Sequence, residues 1–533
     1  MDDSLSAIPR GVLLFDNQKN FKIFYMQHFL KHLIFFLILI VSLLLFLISC
    51  SKKKDESSST SSTPCYTTKP SDKGSCSLTS TLTASTKVPL LMVRVQYNNA
   101  CFSSDETTWA NKMFGTSDGQ LNHYLAETTY SKYQFTPALE TSGCTNDGVI
   151  TVNIPENHPN TQKNSWACHA SKAITEADSS SSFDFASYDT DNNSKLSVNE
   201  LQVIFMVAGG ESASSINTPG GIWGMATALL CDVNGDGSYA DESGEHGITL
   251  DNVRLLGLTS SAYGQNGYSQ FGERQGSSST NTWDATIGVM AHELGHAYFD
   301  LPDLYCAGIY TDNVTKWSTI CSGIGNFGLM GGGSWGYKST SEKAGATPVH
   351  LSAWSKENLN ICTPQTVSSG TNSVTLPAVH QSSTHAASCG IYKASTSTSG
   401  EYFLFENRSP GGYDEGLYFS INWGGTDLVP GSSTYFTGGI AIWHVKDILD
   451  SCSDNNTCET QSPPLIDLEE ANNADLDSAL SNGRTTHLFY SGNSVTFNNS
   501  STPNSKLYDN SSSGISVTSI SAAGDSMTLT ISK

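Results

Sequence analysis

At 533 residues, with a formal net charge of -22 and a pI near 4.8, the chain lacks the basic surface that a nucleic-acid partner requires. The length suits two globular domains better than one. Thirteen cysteines, at 50, 65, 76, 101, 144, 168, 231, 306, 321, 362, 389, 452 and 458, form no Cys-x-x-Cys pair. That scatter favours disulfides in an oxidising compartment over a cysteine-rich metal site. Cys452 with Cys458, Cys306 with Cys321, and Cys65 with Cys76 are near-neighbour candidates.

In chain order, residues 33–49 are an apolar run that ends in Leu47-Ile48-Ser49-Cys50. The run resembles a bacterial lipoprotein signal peptide, which implies cleavage before Cys50 and lipidation of that cysteine. A start at Met26 gives a signal of ordinary size. The competing reading is a single membrane anchor, at the lower edge of spanning length. Residues 1–49 are thus assigned as signal and 50–87, rich in Ser, Thr and Lys, as a lipid-anchored flexible tether.

The folded part opens with a strand over Pro89–Tyr97, then helical patterns at 105–115 and 119–128. Val149–Ile154 alternates as a strand, and Leu201–Ala208 is an apolar run of a buried one. Between them, Asp189, Asp191, Asn193, Lys195 (through its carbonyl), Ser197 and Glu200 match the spacing of a calcium-binding EF-hand loop, with Ser194 where glycine is usual. A second acidic loop offers Asp232, Asn234 and Asp236 as further calcium candidates. The plain alternative for both is an Asp/Asn-rich turn without metal. Residues 259–281, rich in Gly and Ser, read as a surface stretch.

Next comes His292-Glu293-Leu294-Gly295-His296. Residues four apart share a helix face, so both imidazoles can reach one zinc ion, with Glu293 placed to take a proton from a water there. At about 100° per residue, Ile287, Met290, Ala291, Leu294, Ala297 and Tyr298 gather on one side, and His292, Glu293, His296 and Phe299 on the other. Pro302 breaks the helix. A glycine-rich turn around Met330 follows, then a helix starting near Pro348. From 363 to 533 short alternating runs such as 402–406, 440–445 and 526–531 indicate a β-sandwich-like domain after a catalytic domain at 88–362, an α+β chain overall.

Together, His292-Glu293-Leu294-Gly295-His296, Leu301-Pro302-Asp303-Leu304-Tyr305 and Leu329-Met330-Gly331-Gly332-Gly333-Ser334-Trp335 resemble the immune inhibitor A family of bacterial zinc metallopeptidases. Weaker echoes are Phe183-Asp184-Phe185, His350-Leu351-Ser352-Ala353-Trp354, Glu406-Asn407-Arg408 and Gly439–His444, so the similarity runs from about Val88 to the C-terminus. The resemblance implies a metzincin-like catalytic domain with Met330 beneath the zinc, extracellular protein or peptide substrates, and Asp303 as third zinc ligand. One extra residue precedes Leu-Pro-Asp here, and Asp300, four after His296, is the alternative ligand. Tyr337, His350 and Tyr305 are candidates to assist the oxyanion. The expectation is an exported, membrane-anchored zinc endopeptidase; the alternative is an inactive surface adhesin on a peptidase scaffold.

Overall fold

Strand β1 (Thr86–Tyr97) runs through the middle of the larger sheet and is buried from Leu90 onward on both faces. The structure is a computed structural model. It describes residues 84–160, 166–214, 220–229, 247–257, 267–305, 323–381, 387–421, 436–446, 464–472 and 481–533, with short pieces at 63–67, 76, 78, 82, 231, 310–311, 314–315 and 476. Around β1 lie β2 (Tyr133–Pro137), β3 (Val149–Ile154), β4 (Gln202–Glu211), β5 (Gly221–Ile222) and β6 (Met225–Thr227). A small hairpin, β7 (Ile248–Leu250) with β8 (Val253–Leu255), precedes β9 (Tyr268–Ser278) and β10 (Asn281–Asp284).

The order across the large sheet is β10-β9-β4-β1-β2, with β3 on the second half of β1. β2, β3 and β4 run parallel to β1, and β9 runs parallel to β4. A parallel centre is covered on both faces, which is why β4 is buried at every position and reads as an unbroken apolar run. Helices Glu106–Phe114, Leu121–Thr128 and Ala167–Ser181 supply cover, as does Ile287–Ala297, the helix that carries His292 and His296. Helix Ala167–Ser181 has Ala170, Ala173, Ile174 and Ala177 inward, a stripe too small in side-chain size to stand out in the sequence.

The stretch expected on the surface at 259–281 is corrected at 268–275, which forms most of β9 and is largely buried. Three of its polar side chains are bonded internally. Glu273 Oε1 accepts from the Ser103 and Ser104 amides, Gln270 donates to the Trp223 carbonyl, and Gln275 accepts from the Thr286 amide. Gly272 allows the backbone of Gly210 to approach closely, where a Cβ would collide.

After a two-residue pair, β11 (Tyr310–Thr311) with β12 (Val314–Thr315), the chain builds two more sheets. One has β13 (Gln365–Thr366), β15 (Tyr392–Ser395), β16 (Glu401–Arg408), β17 (Gly439–Lys446) and β18 (Ile466–Leu468) in that order. The other has β14 (Thr371–Pro377), β20 (Ser526–Ser532) and β19 (Ser516–Thr518). Alternation along β16 and β17 splits their faces. Phe403, Phe405, Ile440 and Ile442 meet Leu376, Met527, Leu529 and Ile531 between the two sheets. Leu404, Ala441, Trp443 and Val445 instead join the core of the large sheet, which therefore continues across residue 362 without a break.

Disulfides join Cys65 to Cys101, Cys76 to Cys144, Cys168 to Cys231 and Cys362 to Cys389. The suggested Cys65–Cys76 loop is therefore wrong. Each of these cysteines ties the expected tether to the folded part, and the Cys65 amide also bonds to the Asn98 carbonyl. Such bridges belong to an oxidising environment. The remaining candidate pairs, the lipidation site Cys50, the apolar run at 33–49 and the second acidic loop (Asp232, Asn234, Asp236) lie outside the described residues. No helix among the described residues is long and apolar enough to cross a membrane.

Candidate metal centre

Helix Ile287–Ala297 is buried at all its residues, so the side opposite the apolar stripe is enclosed too. Two glycines make that possible. At Gly288 a Cβ would collide with the Ser334 carbonyl, and at Gly295 it would fall 2.5 Å from Met330 Sδ. Met330 thus sits directly against the turn of helix between the two histidines.

The helix ends before Pro302. Asp300 takes φ +52°, with its amide bonded to the His296 carbonyl and the Leu301 amide to the Gly295 carbonyl. Aspartate tolerates this left-handed geometry better than most residues. The reversal swings Asp303 back over the helix. Asp303 Oδ1 lies 3.1 Å from His292 Nε2 and 3.0 Å from His296 Nε2, and the two Nε2 atoms are 3.2 Å apart. These three buried side chains form a metal-capable group that does not include Asp300.

The arrangement fits a tetrahedral ion. Ligands at about 2.0–2.1 Å stand roughly 3.3 Å from one another, a few tenths wider than the three separations seen. Each imidazole is turned by its other nitrogen: His292 Nδ1 donates to the Leu329 carbonyl at 3.1 Å, and His296 Nδ1 to the Leu301 carbonyl at 2.6 Å. With those N–H groups committed, both Nε2 lone pairs face Asp303, the usual way a ligand shell is oriented. Burial opposes charge on His292, yet the Asp303 hydrogen bond and the Glu293 charge outweigh it and raise the group to about 9. Burial likewise opposes charge on Asp303, but the two imidazoles hold it well below the usual carboxylate range. A field that stabilises positive charge there suits a divalent cation as well as protons.

Glu293 is buried beside this group, and that burial raises its carboxyl above the ordinary range. Glycine 224 lies between it and a second carboxylate, Glu211: a Cβ at Gly224 would stand 3.3 Å from Glu293 Oε1 and 3.4 Å from Glu211 Oε2. Glu211 accepts the amides of Ala213, Gly224 and Gly272, so it staples the end of β4 and the Trp223–Gly224 rim onto β9. Burial pushes Glu211 up to about 7 against those three amides. Sequence reasoning passed over Glu211; the signal was an acid ending the apolar run of β4. The carbonyls of Leu301 and Leu329 carry no side-chain signature at all.

Of the three oxyanion candidates, only Tyr305 is at this site. Its ring stacks 6.2 Å from that of His292, and burial and the Asp303 charge raise its hydroxyl well above the ordinary range. His350 is fully buried and bonded 2.8 Å to Glu127, and Tyr337 stacks on Phe419 at 5.7 Å.

The first acidic loop does bring Asp189, Asp191 and Glu200 together. Ser194, in the glycine position, adopts φ +63°. Asp189 accepts the Asn193 and Ser194 amides, Glu200 accepts the Thr190 and Ser197 amides, and Asn193 donates to Asp191 while accepting from Lys195. Strand β4, not a helix, follows the loop. A third acidic group, Glu106 with Asp147, includes Cys144, whose disulfide leaves no thiolate to offer a metal.

No protein-family model matches the chain, and no curated protein is significantly similar to it.

Proposed function

We propose that the chain is a zinc-dependent endopeptidase of the immune inhibitor A-like, metzincin type, acting on extracellular proteins. The observation that carries this reading is the convergence of His292 Nε2, His296 Nε2 and Asp303 Oδ1 beside a buried Glu293. A zinc ion at these atoms would supply Lewis acidity, which polarises a carbonyl and lowers the pKa of water so that a hydroxide-like nucleophile is available near neutral pH.

The residues do the rest. Glu293, whose ionised form the two flanking imidazoles favour against its burial, takes the proton of the attacking water. It returns that proton to the departing amine, so one water is consumed and one peptide bond is replaced by an acid and an amine. Tyr305, whose ring stacks on His292, would be the donor to the developing oxyanion. The carbonyls of Leu301 and Leu329 hold the imidazoles in register.

The test is casein digestion by wild type, with and without a zinc chelator, beside Glu293→Gln. Loss of the general base is expected to cost about 10²–10⁴-fold in kcat with zinc content unchanged. Chelator-insensitive digestion, or a Gln variant of near wild-type activity, would sink the reading; an adhesin on a dead scaffold digests nothing.

The first acidic loop is proposed as a structural calcium site and Cys50 as a lipid anchor at the cell surface. Calcium-dependent thermal stabilisation that disappears in Asp191→Ala, and lipid label that disappears in Cys50→Ala, are the respective readouts.

A further inference from the structure

A cavity of about 450 Å³ opens beside the first turn of the site helix. Trp283, Trp335 and Tyr337 line it with Gln275, Asn326 and Asn482, and none of its lining side chains among the described residues is charged. Its position follows from two contacts. Gln275 accepts from the amide of Thr286, the residue that caps the site helix. The turn Gly332–Trp335 packs its Ser334 carbonyl where a Cβ on Gly288 would be. Gly288 and Glu293 are five residues apart on one helix, about 7.5 Å at 1.5 Å per residue. An extended chain covers that distance in two to three residues.

We propose that this cavity is the specificity pocket of the peptidase site and takes a large uncharged side chain, tyrosine or phenylalanine, from a fixed position within three residues of the scissile bond. The proposal rests on the peptidase reading above. The walls are set before a substrate arrives: Tyr337 is stacked on Phe419, and the Lys343 ammonium lies 4.6 Å over the Trp283 ring. An aromatic side chain gains edge or face contacts with these rings. A lysine would lose its hydration with no counter-charge among the described lining residues.

The experiment maps every cleavage site in denatured casein by mass spectrometry, then measures kcat/KM on a peptide pair differing only by tyrosine or alanine at the enriched position. Wild type is expected to show aromatic enrichment at one position and a Tyr/Ala ratio of about tenfold or more. Trp335→Ala removes a wall; Ser277→Trp fills the cavity from an exposed position that leaves the core untouched. Both are expected to bring the ratio below about threefold while cleavage beside small residues continues. Casein cleavage without positional enrichment, or a ratio unchanged in Ser277→Trp, overturns the pocket and leaves the peptidase reading standing. Absence of any cleavage by wild type removes both.

Discussion

Asp303 and Asp300 are three residues apart, and the turn between them gives them different surroundings. Asp303 Oδ1 touches both imidazoles, whereas Asp300 supplies a left-handed link at the helix end. Asp303→Asn is therefore expected to reduce zinc stoichiometry severely while Asp300→Asn keeps it near wild type, as read by metal analysis of the purified proteins. A second residue-scale consequence concerns Asp147. Burial raises it from 3.8 to about 7, although one oxygen accepts the Val149 amide. The folded state then holds a proton that the unfolded state has released between about pH 4 and 7, so this group makes stability fall as pH rises through that window. Asp147→Asn should flatten the slope, by on the order of 1–2 kcal/mol after allowance for partial solvent contact. Denaturant unfolding at pH 5 and pH 8 measures it.

Among the elements, the glycine-rich turn around Met330 depends on residues far away in sequence. Arg408, on β16, donates to the Phe327 carbonyl and to Asp414, and Asp414 in turn accepts the His350 amide. Nearby, Lys356 and Trp443 meet Glu406, and all of these side chains are buried. Asp414 is held below the usual carboxylate range against its burial by the Arg408 guanidinium. Removing one member of such a buried ion pair leaves a charge uncompensated. Arg408→Ala is expected to cost about 3–5 kcal/mol of stability, with zinc retention falling in parallel because the turn beneath His292 loses its support. A drop under 1 kcal/mol in urea unfolding would contradict this account.

For the whole molecule, the continuous core predicts that residues 363–533 are not removable. Truncation after 362 would expose the partners of Leu404, Trp443 and Val445 and break the Cys362–Cys389 bridge. Such a truncated chain should be insoluble or molten, checked by solubility and near-UV circular dichroism. A cooperative, soluble 63–362 fragment would overturn the prediction. The four bridges, closing separations of 36, 68, 63 and 27 residues, should likewise make the melting temperature fall on reduction.

Local pattern alone determined much: the i, i+4 histidines with Glu293, the helix beneath them, the strands at β1, β3, β16, β17 and β20, the acidic loop leading into a strand, and the need for disulfides. Each is a short-range regularity, set by the 3.6 or 2.0 residue period or by local spacing. Tertiary structure alone decided what depends on distant backbone. It brought Asp303, not Asp300, against the two imidazoles by a left-handed turn, turned the imidazoles with two main-chain carbonyls, and buried β9 with Glu273, Gln270 and Gln275 bonded inside. It also paired Cys65 and Cys76 with partners outside the tether, and placed Glu211 beside Glu293. Carbonyl direction, chain reversal and cross-chain pairing are fixed by packing between segments, and packing leaves no periodic trace in any one of them.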